Sequence, residues 1–508
     1  MTNSDDFEEI IARLEAADGD STKLSLATLD IVIAIYEPMI RTALEAAVMP
    51  HWFDAQILSV LLEIDESKTD ALVKELRELP MVETFAVRNG WNVHEATRLA
   101  LRSRLAEERP AQFQSLSARA ANYFKSDDPA WQIEAVYHRL LAEPDKAVQD
   151  LECLWKTWRR AGRYEPLQAL GLALGELIRS AQMMPMARAQ TLVCFSSISR
   201  GRLPLQTVRD LVTEALDLFR EFGHLLGEID ARDQLGETLM AEGSLQDALN
   251  QFAINKRIAK RLLKREPEKA DWQSELSNAC SKIGSVLQNQ GQLRKALHEY
   301  MASREIMQQL NKRDPKNPEW LRELSVAHNN LGSIYQAQGH SQKALREYKA
   351  DKKIMQFLTH SNSENAGWQL DLSIAHNSIG QILEAQGRST EALPEYQASK
   401  TIMKRLTKRD PENNDWLREL SVSHNKVGSI YQAQRHWARA MREYVSAKEI
   451  RLELTKRDPE NAMWQRDLSV SLNRVGSLYQ DKGELTNALE EYKASTEIMQ
   501  QLTEQDPQ

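Results

Sequence analysis

The chain has 508 residues, and its 65 Lys and Arg against 73 Asp and Glu leave a formal net charge of −8. This length suits about two to five domains, and this charge argues against a general nucleic-acid binder, whose affinity comes from basic residues that release phosphate counterions. Three cysteines without a CxxC pair exclude a disulfide framework and a cysteine-rich zinc site. Only 20 Gly and 16 Pro, with 27% charged residues, favour a helical protein.

The N-terminal residues 1–24 are predicted to form a helical or flexible segment. The first nine positions hold four acids and no basic residue, which is the opposite of a secretory leader. The longest apolar run, Ile31–Tyr36, is about a third of the roughly 20 residues that a membrane-spanning helix needs. These features predict a cytoplasmic protein without a membrane span.

Residues 25–110 have the pattern of a winged-helix-like module. It begins with three apolar helical patterns, at 27–48, 53–63 and 67–79. The stretch 82–93 then alternates between apolar and polar residues on both sides of Asn89-Gly90, a strong signal for a hairpin turn. A further helix is predicted from about Glu95. Three helices, a hairpin and a closing helix are the order of a winged helix.

A winged helix raises the alternative of a DNA-binding regulator that the rest of the chain controls. The helix that would enter the major groove, 65–79, carries five acidic and three basic residues. Its net negative charge opposes the approach of phosphate, so nucleic acid is an unlikely partner. Duplex binding with a strong salt dependence would favour this alternative.

The sequence Val93-His94-Glu95 and the helix after it resemble the methionine-histidine-aspartate motif in the winged helix of STAND-class signalling ATPases. The stretches 118–124 and 134–142 are similar to the helical arm of that class, so the resemblance covers about 25–220, and 111–223 is expected to be a helical connector. By this resemblance His94 would contact a bound nucleotide; the simpler interpretation is a residue that caps a helix. No GxxxxGK[ST] motif occurs, so the chain resembles only the sensor half, as an independent protein or as part of a longer one.

Residues 224–508 contain about six copies of a 48-residue repeat. The 48-residue step carries three residue types through the chain: Trp272, Trp320, Trp368, Trp416 and Trp464; Gly284, Gly332, Gly380, Gly428 and Gly476; and Tyr300, Tyr348, Tyr396, Tyr444 and Tyr492. A fixed period without insertions is the signature of a solenoid. We expect the tryptophans and tyrosines to be repeating core residues.

Within one copy, apolar residues recur at helical spacing on both sides of a break at Gly339, and Asp314-Pro315 is expected to begin the unit. The positions Leu331-Gly332, Tyr335, Gly339, Ala344 and Tyr348 resemble the tetratricopeptide repeat. The repeat here is 14 residues longer than the usual 34, and the excess is expected to lengthen both helices. The predicted fold is all-α: a right-handed α-solenoid of helix pairs preceded by the winged-helix-like module and the connector.

The resemblance implies that the first helix of each pair lines a concave groove. Polar, nearly uncharged side chains then form a candidate peptide-binding row: Asn329, Ser333 and Gln336; Asn377 and Gln381; Asn425, Ser429 and Gln432; Asn473, Ser477 and Gln480. Asparagine offers a donor and an acceptor together, as a peptide backbone does. The alternative is that these amides satisfy buried backbone groups or reflect drift between copies.

Catalytic and metal sites are not predicted. His328, His376 and His424 recur one repeat apart, which is too far for a shared metal with bonds near 2 Å, so a structural role is expected. HExxH, GxSxG, GxGxxG and kinase catalytic-loop motifs do not occur. The sequence predicts no cofactor and no enzymatic activity; a hydrolase would require that changing one His or Cys abolishes activity.

The predicted function is a non-enzymatic scaffold or sensor. Its repeats would bind a protein or peptide, and its N-terminal module would relay binding to an effector or ATPase partner. The chain reaches Asp506-Pro507-Gln508 at the phase where another copy would begin, without a polar capping helix. Either the final helix is polar enough by itself, or the chain was cut, or a partner covers this end, and self-association through the last repeat would be one such contact.

Overall fold

The computed structural model describes residues 37–180 and 183–505. The predicted segment 1–24, the start of the first helical pattern and Asp506-Pro507 lie outside these ranges. The chain divides into two compact units, whose boundary falls after Gln251, apart from residues 160–162, which group with the second unit. The sequence places the start of the solenoid at 224, whereas this boundary lies inside a helix that begins at Leu245.

The first unit begins with three helices, α1 (Pro38–Ala47), α2 (Ala55–Leu62) and α3 (Glu66–Leu76). A two-stranded antiparallel hairpin follows, β1 (Val82–Phe85) and β2 (Gly90–Val93), and then α4 (Glu95–Glu108). Asp54 caps α2 by accepting a hydrogen bond from the Ile57 backbone N–H at 2.7 Å. The order of these elements is the one that the sequence pattern predicts for 37–108.

The hairpin turn differs from the predicted Asn89-Gly90 turn. Phe85 pairs with Gly90, so the connection is the 3-10 turn Ala86–Arg88 plus Asn89, which takes the left-handed conformation at φ 51°. Gly90 belongs to β2, and a Cβ atom there would lie 2.6 Å from the Phe53 carbonyl oxygen. The backbone of Trp91 exchanges hydrogen bonds of 2.7 and 2.9 Å with Phe53. Gly90 therefore permits this close approach as a residue of β2, and the turn is formed by the residues before it.

Helices continue through the rest of the first unit. Their bounds are α5 (Pro110–Tyr123), α6 (Pro129–Ala142), α7 (Pro144–Arg160), α8 (Tyr164–Ser180), α9 (Pro185–Ile198), α10 (Leu205–Glu221) and α11 (Leu225–Ala241). Several of these helices begin with proline. This suits a helix start, because a backbone N–H at that position would have no partner within the helix and proline loses no hydrogen bond there. A continuous apolar core runs from α1 to α9.

Helix pairs make up the second unit. After α12 (Leu245–Arg265) the bounds are α13 (Ala270–Asn289), α14 (Leu293–Arg313), α15 (Pro318–Ala337), α16 (Ser341–Ser361), α17 (Ala366–Ala385), α18 (Ser389–Arg409), α19 (Asn414–Ala433), α20 (Trp437–Arg457), α21 (Ala462–Asp481) and α22 (Leu485–Gln505). First helices have 20 residues and second helices 21, so the added length extends both, as predicted. Gly339 has φ +75° in the turn between α15 and α16, the left-handed conformation expected after a helix end.

The start of each repeat differs from the Asp-Pro start that the sequence suggests. Asp314 follows the last residue of α14 and Pro315 lies in the loop. The helix-capping residue is Asn317, which accepts hydrogen bonds from the backbone N–H groups of Glu319 and Trp320. The same cap recurs at Asn365, Asn413 and Asn461, each bonded to the backbone N–H of the repeat tryptophan. Asparagine caps the helix because its side chain reaches the free N–H groups of the first turn.

The repeat glycines and tyrosines form the contact between the two helices of a pair. A Cβ atom on Gly332 would lie 2.5 Å from the ring of Tyr348, and the other four copies repeat this approach. Trp320 packs against the cluster of Met307, Leu310 and Leu324, which joins α14 of one repeat to α15 of the next. Both contacts agree with the roles predicted for these residues.

Candidate functional site

The first helices of the second unit present one continuous surface. Cα atoms of successive first helices come within 8 Å of each other, between α13 and α15 and between α19 and α21. Side chains at equivalent positions of these helices therefore form rows across the repeats, with one residue from each copy. We call this surface the first-helix face. It carries three rows: the predicted amide and hydroxyl residues, an aliphatic row and a charged row.

The predicted residues of α15 bond to neighbours within the solenoid. Asn329 donates from Nδ2 to Asp351 of α16 at 3.2 Å. Ser333 accepts from Gln288 of the preceding repeat at 2.9 Å. Gln336 accepts from the hydroxyl of Tyr348 at 3.0 Å. These three side chains therefore help to hold helices together, through side-chain partners and not through the backbone groups that the alternative names.

The later repeats share part of this pattern. Ser429 donates to Glu384 at 3.2 Å, and Gln432 donates to Ser477 of the next repeat at 3.3 Å. Asn377 and Asn425 are half-buried, and their Oδ1 atoms, which are shielded from solvent, have no hydrogen-bond partner within 37–180 and 183–505. Asn473 is exposed and Gln381 half-buried. The row thus joins neighbouring first helices and also carries amide oxygens with unused bonding capacity.

An aliphatic row beside the asparagines was missed by the sequence reasoning. Val326, Ile374 and Val470 lie six residues after their tryptophans, and their exposed fractions are 42%, 41% and 43%. Val422 occupies the same position in α19 and is half-buried, whereas α13 has Asn278 there. The 48-residue step already contains this signal. An isolated exposed aliphatic residue is ordinary, but a row of them in register forms an apolar strip.

A charged row borders the aliphatic row. Arg322 donates to Asp371 of the next repeat at 2.9 Å, and Arg418 donates to Asp467 at 2.5 Å. Each bond joins two first helices. The first-helix face is thus an apolar strip with internally paired charges on one side and amides on the other.

The periodic histidines belong to a second ladder, which joins the second helices. His424 bonds through Nδ1 to Glu443 at 2.6 Å, and Lys400 of the preceding repeat donates to the same carboxylate at 2.7 Å. His328 with Glu347 and His376 with Glu395 repeat this arrangement. Burial alone would raise the pKa of Glu443, but the hydrogen bonds from His424 and Lys400 outweigh it and lower that pKa to about 2. This geometry supports the predicted structural role of the histidines.

Asp351 is a buried acid at the edge of the predicted row. It accepts hydrogen bonds from Ser325 and from Asn329, and only 3% of it is exposed. Burial raises its pKa to about 6, because these neutral donors compensate the charge only partly. The equivalent residues in other copies are Ser303, Ser399, Ala447 and Ser495.

The first unit contains a buried ion network that the sequence analysis did not find. Arg98 of α4 donates to Glu176 of α8 at 3.1 Å, and Arg102 donates to the same carboxylate at 3.2 Å. Tyr137 of α6 also bonds to Glu176. The network thus fixes α4 to two later helices, α6 and α8.

Histidines extend this network. His51, in the segment after α1, pairs with Glu134 of α6, and its Nε2 lies 3.5 Å from Glu176. Burial would lower the pKa of His51, but the Glu134 carboxylate reverses this effect and raises it. His138 is fully buried and burial lowers its pKa, although Glu134 lies 3.4 Å away. The Glu134 carboxylate therefore faces two histidines whose pKa values shift in opposite directions.

His94, which the resemblance assigns to nucleotide contact, lies outside this network. It is the residue before α4, and its side chain is exposed and makes no capping hydrogen bond. Its backbone N–H donates to the Met81 carbonyl at 2.8 Å. The side chain is accessible, and the nucleotide role stays a prediction.

The described residues contain neither a metal site nor a membrane-spanning helix. Within residues 37–180 and 183–505, no three His, Cys, Asp or Glu side chains are arranged to hold a metal ion. In the same part of the chain, no helix is long and apolar enough to cross a bilayer.

Comparison with known proteins identifies the fold. No family model matches the sequence, and no curated protein matches it. Among solved structures, a signal transduction ATPase with numerous domains (STAND) and a tetratricopeptide-repeat sensor, from Pyrococcus horikoshii, is 12% identical, with a TM-score of 0.51 over 97% of this chain and 69% of that one. BtubC from P. vanneervenii is 20% identical over 51% of this chain and 92% of its own, with a TM-score of 0.41.

These identities establish a likeness of fold and no more. The helix pairs, the glycine–tyrosine contacts and the likeness to a STAND protein with a tetratricopeptide-repeat sensor agree with one another. The chain is therefore an all-α protein whose second unit has the tetratricopeptide-repeat solenoid fold.

Proposed function

We propose that the first-helix face binds an extended segment of a partner protein and that the chain acts as a non-enzymatic scaffold or sensor in the cytoplasm. The observation that carries the proposal is the aliphatic row of Val326, Ile374, Val422 and Val470 beside the asparagine row. The aliphatic row would bury apolar side chains of the segment. The amides of Asn377 and Asn425 would turn toward its backbone groups, which present a donor and an acceptor at each residue.

The spacing of the rows defines the partner segment. Packed helices lie about 8–10 Å apart, and an extended chain rises about 3.3 Å per residue. About three residues therefore span one repeat. A segment with an apolar residue at about every third position would place one side chain on each member of the aliphatic row.

Relay to an effector or ATPase partner is the finer part of the proposal. The buried network of Arg98, Arg102 and Glu176 supports it, because it fixes α4 to the connector helices, so a displacement of those helices would move α4 as well. His94 at the exposed start of α4 would then contact the partner's nucleotide. Self-association through the last repeat is also proposed, since 67% of Leu485 and 53% of Leu489 are exposed.

The test compares two surfaces of the second unit. Affinity capture from the native cell extract would use the full chain, the variant Val326→Ser, Ile374→Ser and Val470→Ser, and the variant in which Asn329, Asn377, Asn425 and Asn473 are all changed to Ala. The matched control is Phe357→Ser with Leu452→Ser, which removes exposed apolar side chains from second helices. We expect both first-helix variants to lose a partner that the control keeps, with circular dichroism unchanged. A partner that all variants retain would contradict the proposal.

A further inference from the structure

The helix pair α19–α20 departs from the other pairs in the turn between its helices. Arg435 occupies the position of Gly339, Gly387 and Gly483, and it takes the same left-handed conformation at φ 58°. A side chain in this conformation costs free energy that glycine avoids. Trp437, which begins α20, also differs from the serine or leucine that begins the other second helices.

A groove of about 970 Å³ adjoins the N-terminal half of α20 and the turn before α22. Its floor is formed by Trp437, Met441 and Val445, which share one helical face at i, i+4 and i+8. Trp437 and Met441 also pack with Tyr479 around the core of this repeat. We call this surface the Trp437 groove; the basic residues of its rim are His436, Arg439, Arg442 and Lys482.

The rim is basic, although the whole chain has a net charge of −8. Within the described residues, Arg442 has no ion pair or hydrogen bond to its side chain, and Arg439 only stacks on Tyr431, at 5.7 Å from the ring centroid. Lys482 pairs with Glu484 at 2.5 Å. Two exposed guanidinium groups beside an apolar floor thus lack a carboxylate partner.

The combination of floor and rim is particular to α20. In α16 and α18 the residues equivalent to Val445 are Lys349 and Gln397, which interrupt the apolar face. Helix α14 keeps an apolar face with Leu293, Leu297 and Met301. Its residues at the positions of the two arginines are Lys295 and His298. The chain therefore contains its own comparison surface, which has the floor without the arginine pair.

We propose that the Trp437 groove binds an acidic amphipathic segment of a partner protein. Carboxylates of the segment pair with Arg439 and Arg442, whose planar guanidinium groups each donate two parallel hydrogen bonds. A bulky apolar side chain between the carboxylates packs on Trp437 and Met441. A peptide fits this groove better than single-stranded nucleic acid does. Sites for single-stranded nucleic acid stack successive bases on several aromatic residues, whereas the floor of the groove has one aromatic and two aliphatic side chains.

This site is separate from the first-helix face, so its test is independent of the proposed function. The probe is a short fluorescent peptide that alternates Glu or Asp with Leu or Phe, and its binding to the full chain is measured by anisotropy. Two further peptides control the chemistry: one with Gln and Asn in place of the acids, and one with Ser in place of the apolar residues. We expect the full chain to bind the acidic amphipathic peptide most tightly.

The variants separate the groove from general charge. Arg439→Gln with Arg442→Gln should weaken binding about tenfold, since each exposed ion pair adds a modest amount. Trp437→Ala should weaken it about thirty-fold, as expected for a buried aromatic contact. Lys295→Gln with His298→Gln, the matched change on α14, should leave binding unchanged. Because Trp437 also packs in the repeat, the exposed arginine pair is the decisive variant.

Four results would overturn the proposal. The first is the absence of measurable binding by the unaltered chain. The second is equal binding by the chain with both arginines replaced. The third is equal binding of the peptide without acids or of the peptide without apolar residues. The fourth is displacement of the peptide by an equal concentration of a single-stranded oligonucleotide, which would make the groove a nucleic-acid site.

Discussion

Replacement of Glu443 by glutamine should destabilise the contact between two repeats. Glu443 accepts hydrogen bonds from Lys400 of the preceding repeat at 2.7 Å and from His424 at 2.6 Å. The three side chains are largely shielded, with exposed fractions of 16% for both Lys400 and Glu443 and 6% for His424. Hydrogen bonds to charged groups contribute about 1.5–3 kcal/mol. We therefore expect Glu443→Gln to lower the free energy of unfolding by about 2 kcal/mol.

The chain supplies a matched control for this change. Leu472 replaces the histidine in the last repeat, where Lys448 still donates to Glu491 at 2.6 Å. His424→Leu copies that natural arrangement, keeps the pair of Lys400 with Glu443, and should cost about 1 kcal/mol or less. Because repeats unfold partly independently, hydrogen exchange of α19 and α20 is the suitable assay, supported by urea unfolding. The reasoning is refuted if His424→Leu destabilises as much as Glu443→Gln.

The pH dependence of the same contact has a definite sign. The pKa of Glu443 is about 2 in the folded chain and 4.5 ordinarily. The unfolded chain therefore binds more protons between these values, and stability falls as the pH is lowered through that range. The contribution of Glu443 is complete above about pH 4.5. The difference between the unaltered chain and Glu443→Gln should shrink as the pH falls toward 2, and a constant difference would contradict the assignment.

Three further predictions address other contacts, each measured by urea or thermal unfolding. Gly380→Ala should destabilise the chain by about 1–2 kcal/mol despite the higher helix propensity of alanine, since its Cβ would lie 2.6 Å from the Tyr396 ring. Gly380→Ala with Tyr396→Leu should recover part of this loss, and the absence of any recovery would contradict the steric argument. Asp351→Ser should stabilise the chain at pH 7 by roughly 2 kcal/mol. The pKa of Asp351 is about 6 in the folded chain, so deprotonation makes stability fall as the pH rises from 4 to 6. If the pH profile of stability is the same in Asp351→Ser, this assignment is contradicted. Glu176→Gln should cost about 3–5 kcal/mol by leaving Arg98 and Arg102 buried without a counter-charge, whereas Glu95→Gln at the exposed pair with Arg179 should have no measurable effect.

The solenoid could be predicted because its packing rule repeats in the sequence. A glycine faces the ring of a tyrosine sixteen residues later in five successive copies, so the 48-residue period records a three-dimensional contact. The helix lengths follow from the same period. The caps were harder to identify, since Asp314-Pro315 and Asn317 lie close together and only the geometry shows that asparagine reaches the free N–H groups.

The buried network could not be found in this way. His51 and Glu134 are 83 residues apart, and Arg98 and Glu176 are 78 residues apart, with each residue on a different element and without a period. Its members become recognisable only when the fold brings them together. The aliphatic row is a different case, because Val326 and its equivalents follow the same 48-residue step as the tryptophans. Attention to polar groove residues alone left this signal unused.

The proposal that the first-helix face receives a partner segment is tested most directly by hydrogen–deuterium exchange of the complex with the captured partner. We predict slower exchange in the first helices α15, α17, α19 and α21, centred on the turn of each helix that holds the aliphatic residue. The second helices α16, α18, α20 and α22 should be unchanged. Protection confined to the second helices or to the first unit would contradict the account, and would assign the aliphatic and asparagine rows to the scaffold.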